Sequence, residues 1–187
     1  MKYAGLIEND FSAAPGVSVS FYLQGCPHHC PGCHNPETWD FDGGIEFENN
    51  TLDKIINALS ANGVKRSLSV LGGEPLCPEN EFLTYMVIRT VKEKLPETKI
   101  YLWTGYTYEE LKEKRNTSKV NSILEMIDCL IDGPYIELER DITLPLRGSR
   151  NQKVIYFDNS KNLWYNNNRL IEEWWIKKWF LLLVLNS

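Results

Sequence analysis

The sequence has no second cysteine knuckle, no excess of positive charge, no apolar run long enough to cross a membrane and no low-complexity linker, and each absence removes a class of protein. Five cysteines, an odd number with three crowded into residues 26–33, are not the framework of a small secreted disulfide protein. A formal net charge of -5 argues against an electrostatic footprint for nucleic acid or anionic lipid. The opening "MKYAGLIENDFSAAPG" is too short in apolar residues and too interrupted by acids for a secretory signal, so a reducing cytoplasm is expected. No internal repeat is visible, and 187 residues with 43% hydrophobic content suffice for one ordinary core.

What is present reads as strands alternating with helices. Residues 17–25 (VSVSFYLQG) form an expected strand that runs into the cysteines. Residues 51–63 read as a helix with Thr51 as N-cap and Gly63 past its end. Then follow an expected buried strand at 67–76, a helix at 80–95 opened by Asn80, a strand at 99–106, helical stretches in "TYEELKEKR" and "SKVNSILEMI", a strand in "DCLIDGPY" and a last one at 152–158. That alternation predicts parallel strands joined by right-handed crossovers. Composition changes after residue 158. The stretch 166–187 carries three of the six tryptophans, and a stripe of Ile171, Trp174, Trp175 and Trp179 predicts an amphipathic C-terminal helix that docks on the domain or on a partner. Residues 1–158 are thus taken as the domain and 159–187 as an atypical tail.

The chemistry concentrates in "QGCPHHCPGCHNPETW" at 24–39. Cys26, Cys30 and Cys33 follow a C-x3-C-x2-C spacing, with Pro27, Pro31 and Gly32 folding the backbone around whatever the thiolates hold. Soft thiolate sets select zinc, copper or an iron-sulfur cluster. Zinc needs a fourth ligand, which His28, His29 or His34 can supply, but its usual patterns bring ligands in two separated pairs. A [4Fe-4S] cluster usually takes four cysteines, and neither Cys77 nor Cys129 sits in a ligand motif. Three cysteines leave one iron open to a substrate or cofactor.

This triplet at the end of one strand, with "GGEP" at 72–75 ending the next, resembles the radical S-adenosylmethionine superfamily. The resemblance implies a partial (β/α) barrel, shortened here to about four or five strand-helix units. It implies a [4Fe-4S] cluster on Cys26, Cys30 and Cys33, with S-adenosylmethionine chelating the open iron. Cofactor contacts then map to Gly32, Cys33 and His34, whose ring takes the position near the adenine, and to Gly72, Gly73 and Glu74. The two glycines would let the strand end approach the methionine portion, and Glu74 would help hold its ammonium. Hydrogen-atom abstraction needs no general acid or base, so no catalytic side chain is nominated.

Further stretches, "YLWTGY" at 101–106, "LIDGPY" at 130–135 and "LRGSRNQKVI" at 146–155, are similar to the glycyl-radical activases of anaerobic ribonucleoside-triphosphate reductases, over roughly residues 3–156. In that family a 5'-deoxyadenosyl radical takes hydrogen from a glycine of the reductase, and a flavodoxin or ferredoxin suits the low potential. The other readings kept are a radical enzyme acting on a small purine-like substrate and a non-catalytic zinc-binding module. At residue level, Thr104, Tyr106 and Asp132 either line the cofactor site or pack strand ends and turns. Arg147 and Arg150 face the reductase or pair with surface acids such as Asp141. Cys77 and Cys129 read as small buried hydrophobes, and His28 and His29 as solvent-facing loop residues.

Overall fold

The computed structural model describes residues 1–157 and the backbone of 163–165. The expected C-terminal helix and its tryptophan stripe lie outside the described residues. In chain order the elements are β1 (Lys2–Asp10), β2 (Val17–Leu23), β3 (Ile45–Glu46), α1 (Asn49–Ser60), β4 (Arg66–Gly72), α2 (Glu81–Lys94), β5 (Ile100–Trp103), α3 (Tyr108–Glu113), α4 (Ser118–Met126), β6 (Cys129–Asp132), β7 (Lys153–Phe157) and β8 (Leu163–Tyr165). Among the described residues the strands form one mixed sheet in the order β3-β1-β2-β4-β5-β6-β7-β8.

The centre of the sheet follows from the alternation of strands and helices. β2, β4, β5 and β6 are parallel neighbours in chain order. Crossovers of one hand that step in one direction put their helices on one face of a sheet. Accordingly Val19, Phe21, Leu23, Leu68, Val70, Ile100, Leu102 and Leu130 share a core with Ile55, Leu83, Val87, Leu111, Val120 and Ile123 from the helices. Period-2 alternation turns Ser18, Ser20 and Ser69 to the other side, where Ser20 donates to Asp10 Oδ2 (2.7 Å) and Ser69 to the Ala13 carbonyl (3.2 Å).

The flanks differ from the expectation. Three strands were not anticipated, β1, β3 and β8, and all pair antiparallel, β1 on β2, β3 on β1 and β8 on β7. At the other edge β7 returns antiparallel to β6, because the connection between them holds only the short 3-10 turn Glu137–Glu139 and no crossover helix. Among the described residues the result is an open sheet with four parallel strands that does not close into a barrel. Helix ends also shift. α1 is capped at Glu48, and Thr51 lies one turn inside, its hydroxyl accepting from the Glu48 amide (3.4 Å). The helix stops at Ser60, and Gly63, at φ 67°, ends the 3-10 turn that follows.

The strand ends that carry the motifs touch backbone to backbone. A Cβ on Gly72, at φ 98°, would lie 2.9 Å from both the nitrogen and the oxygen of Leu23; one on Gly73 would lie 2.3 Å from the Gly25 carbonyl oxygen. The amides of Gly73 and Glu74 donate to the carbonyls of Leu23 and Gly25, each at 2.8 Å. The paired glycines are therefore required by the end of β2 and the stem of the cysteine loop.

Two outcomes follow for stability. Gly73→Ala meets backbone that cannot step aside and is expected at the upper end of the roughly 1–3 kcal/mol that overpacking costs, whereas Gly5→Ala meets nothing within 4 Å and serves as the neutral control in denaturant titrations. Asp128 joins α2, β5 and β6 by accepting from Lys92 (3.0 Å), Lys99 (2.7 Å) and the Ile100 amide (3.0 Å). Burial alone would raise its carboxyl, but these donors outweigh burial and hold it below the ordinary value of 3.8. Its stabilisation is thus present above that value and lost as pH falls through the lower folded one. Asp128→Asn should cost about 1–3 kcal/mol at neutral pH and flatten the acid limb of a pH-stability curve.

Candidate cofactor site

Register places the C-terminal ends of β2, β4, β5 and β6 along one edge, and each is followed by a motif: the cysteine loop, GGEP, TGY and DGPY. Ligands of open α/β sheets bind outside such strand ends. The loop after β2 is pinned at its base by the Gly25 amide donating to the Thr38 carbonyl (2.7 Å) and the Cys26 amide to the Trp39 carbonyl (3.1 Å).

At the centre of this edge is Glu74, 1% exposed. Its Oε1 accepts from the Thr104 hydroxyl (2.7 Å) and the Leu76 amide (2.9 Å), and its Oε2 accepts from the Gly105 amide (2.7 Å) and faces His28 Nε2 (3.0 Å). Because a carboxylate accepts, Nε2 is the ring nitrogen that carries the proton. These bonds give Glu74 a structural role that the sequence reading, which expected a contact with a cofactor ammonium, did not contain. Asn80 supports the same knot. It precedes α2, but its amide does not cap that helix and instead donates to the carbonyls of Gln24 (2.9 Å), Gly25 (3.1 Å) and Glu74 (3.0 Å).

All three loop cysteines are free and half-buried. The Cys33 amide donates to the Cys30 carbonyl (3.1 Å), and the Asn35 amide to Cys33 Sγ (3.4 Å). Burial pushes the Cys26 thiol up to about 11, against hydrogen bonds from the backbone of His28 and His29, while the negative charges of Glu74 and Cys30 push the same way as burial. Burial likewise raises Cys30, opposed by a backbone bond from Tyr135 and reinforced by Cys33. Sulfurs that feel one another's charge and receive backbone N–H groups lack only positive charge. This donor chemistry fits an iron-sulfur cluster, whose sulfur ligands are deprotonated and hydrogen-bonded.

A single-ion zinc site fits less well. Among the described residues no group of three or more His, Cys, Asp or Glu side chains converges on one ion. A four-iron cluster does not ask for that convergence, since each cysteine holds a different iron. Of the histidines considered as a fourth zinc ligand, His28 is also engaged elsewhere. His28 turns inward to Glu74 and meets Tyr106 edge-on (centroids 4.6 Å), contrary to its expected solvent-facing place. His29 is exposed beside Trp39 (4.9 Å), and His34 is exposed 6.1 Å from Tyr135.

The remaining candidates sort by position. Gly32 is exposed at φ 74°, and the Glu137 carboxyl lies about where its Cβ would need room, 2.9 Å from the Cδ atom. Thr104 and Tyr106 pack strand ends, the Tyr106 amide donating to Thr104 Oγ1 (3.2 Å). Asp132 is buried and accepts from the amides of Tyr108 (2.8 Å) and Lys153 (3.0 Å); burial raises its carboxyl despite them. Arg150 pairs with Asp141 (3.2 Å), and Arg147 donates to the Gln152 carbonyl (2.6 Å). Cys77 and Cys129 are wholly buried, and burial drives the Cys77 thiol up to about 12.

Residues 13–155 match the family model described as a 4Fe-4S single cluster domain. The chain is similar to the anaerobic ribonucleoside-triphosphate reductase-activating protein of Vibrio cholerae, 35% identical over 84% of this chain and 99% of that protein. It is likewise 34% identical to the proteins of that name from Escherichia coli K12, over 82% of this chain and 97% of the relative, and from Enterobacteria phage T4, over 88% and 98%. The chain therefore belongs to the family of anaerobic ribonucleoside-triphosphate reductase-activating proteins and carries its 4Fe-4S single cluster domain.

Proposed function

We propose that this protein activates an anaerobic ribonucleoside-triphosphate reductase as a radical S-adenosylmethionine enzyme, an oxidoreductase, with Cys26, Cys30 and Cys33 holding a [4Fe-4S] cluster. The observation that carries this reading is the juxtaposition of the three-cysteine loop with the GGEP turn through the Gly73–Leu23, Glu74–Gly25 and Glu74–His28 hydrogen bonds. The names of the relatives support a protein as substrate over a small purine-like molecule. The four parallel strands then correspond to a shortened wall of a (β/α) barrel, open at the edge where a large partner must dock.

Held on Cys26, Cys30 and Cys33, a [4Fe-4S] cluster would supply the electron for reductive cleavage of S-adenosylmethionine, with a flavodoxin- or ferredoxin-type donor as its source, and so the means to take a hydrogen atom from a glycine of the reductase. The chain's own part is binding and orientation. Three cysteines would leave one iron free for the amino and carboxylate groups of S-adenosylmethionine. Gly32, Cys33 and His34 would contact the cofactor from the loop, and Gly72, Gly73 and Glu74 from the end of β4. No side chain transfers a proton. Among the described residues no helix is long and apolar enough to cross a membrane. The reading places the reaction in the cytoplasm, without nucleic acid or lipid as partner.

Anaerobic reconstitution should give a brown, oxygen-labile protein that forms 5'-deoxyadenosine when reduced with S-adenosylmethionine, and a glycine-centred radical signal when the reductase is added. Cys30→Ala should lower bound iron and sulfide to background and abolish 5'-deoxyadenosine, since two thiolates do not hold the cluster firmly. A cluster-loaded, reduced wild-type protein that forms no 5'-deoxyadenosine would overturn the reading.

A further inference from the structure

His28 stands midway between Cys26 and Cys30, and its side chain is only 20% exposed while Pro27, His29 and Pro31 around it face solvent. Its seat is made by three residues from two other strand ends. Glu74 Oε2 lies 3.0 Å from Nε2, the Tyr106 ring meets it edge-on at 4.6 Å and 70°, and Gly105 lies directly beneath. A Cβ on Gly105 would stand 2.4 Å from His28 Cδ2 and 2.6 Å from Nε2. The missing side chain at 105 is thus the space that the imidazole fills. The Gly105 amide donates to the same Glu74 oxygen at 2.7 Å, so one carboxylate oxygen joins the end of β5 to the cysteine loop.

A second feature points the same way. His29 holds a left-handed backbone at φ 47°, a conformation that costs a non-glycine residue about 1–2 kcal/mol. That turn sends residue 28 inward and residue 29 outward. A strained turn of this kind persists only where its surroundings over-determine it, and the seat of His28 supplies the fixing contacts.

We propose that Gly105, His28 and Glu74 form a lock that seats the Cys26–Cys30 half of the loop against the ends of β4 and β5, which makes His28 a positioning residue for the cluster. The proposal rests on the reading that the three cysteines hold a [4Fe-4S] cluster. Three sulfurs must reach three irons at once. The base of the loop is fixed by backbone bonds at Gly25 and Cys26, but between Cys26 and Cys30 the inward contact is the histidine. Partners that orient a metal ligand without touching the metal commonly change affinity about 10- to 100-fold when removed.

The test uses the full chain, reconstituted anaerobically, as wild type, Gly105→Ala, His28→Ala, His28→Gln and the double variant His28→Ala with Gly105→Ala. Cluster loss to a chelator is followed by visible absorbance, the electron paramagnetic resonance signal of the reduced cluster is recorded with and without S-adenosylmethionine, and melting of the cluster-free proteins monitors the fold. Gly105→Ala and His28→Ala should each speed cluster loss about tenfold or more and broaden the signal. His28→Gln, whose amide nitrogen takes the place of Nε2, should recover most of that loss. In the His28→Ala background, adding Gly105→Ala should change the rate by less than about twofold, because the ring it would expel is gone. Wild-type rates and signals in His28→Ala would overturn the lock, as would Gly105→Ala acting equally in both backgrounds. If Gly105→Ala fails to fold, the comparison of His28→Gln with His28→Ala decides. A wild-type protein that loads no cluster would instead sink the underlying reading, and the lock with it.

Discussion

The carboxylate of Glu74 is the constraint on which the functional edge depends. A carboxyl group taken out of water is costly unless its oxygens are met, and here four donors come from three places in the chain: His28, Leu76, and the adjacent Thr104 and Gly105. Removing any one leaves a buried oxygen with one donor where it now has two. The loop after β2, the turn after β4 and the end of β5 are therefore held in one arrangement before any cofactor arrives. Such preorganisation keeps the ordering cost out of the binding step.

Close approach of backbones makes that arrangement possible. The parallel register brings Leu23 opposite Gly72, and from there the two chains run on in contact, with Gly73 against Gly25. Side chains at either glycine would hold the cysteine loop away from the turn that is proposed to share a ligand with it. Asn80 then bridges three carbonyls across the seam. Asn80 holds the expected N-cap position of the helix following the turn, and its side chain serves as the clamp.

Local signals in the sequence were sufficient for the centre of the fold and insufficient for its rim. Alternating Val, Ser and Phe in β2 and the helical spacing in α1, α2 and α4 mark elements that bury one face, and these appear within a few residues of their expected ends. β1 escaped because a strand near the rim with exposed Ile7 and Glu8 gains its stability from pairing with β2 and β3, which no short window contains. The direction of β7 was misread for a related reason. A strand with no helix before it is free to return antiparallel, and the Pro- and Gly-containing stretch from 133 to 152 was the visible sign. At the site, the cysteine spacing and GGEP were legible as chemistry. The inward turn of His28 was not, because its partners at 74, 105 and 106 are distant in sequence; the bare glycine at 105 was the one local hint.

The elevated thiol of Cys26 has a consequence for the protein before it is loaded. At about 11, only roughly one sulfur in ten thousand is deprotonated at neutral pH, and it is the deprotonated form that attacks oxidants and other sulfurs. Burial of the neighbouring Cys30 acts in the same direction. Before a cluster is loaded, these two sulfhydryls should therefore react slowly with peroxide, which would give the empty loop a longer shelf life.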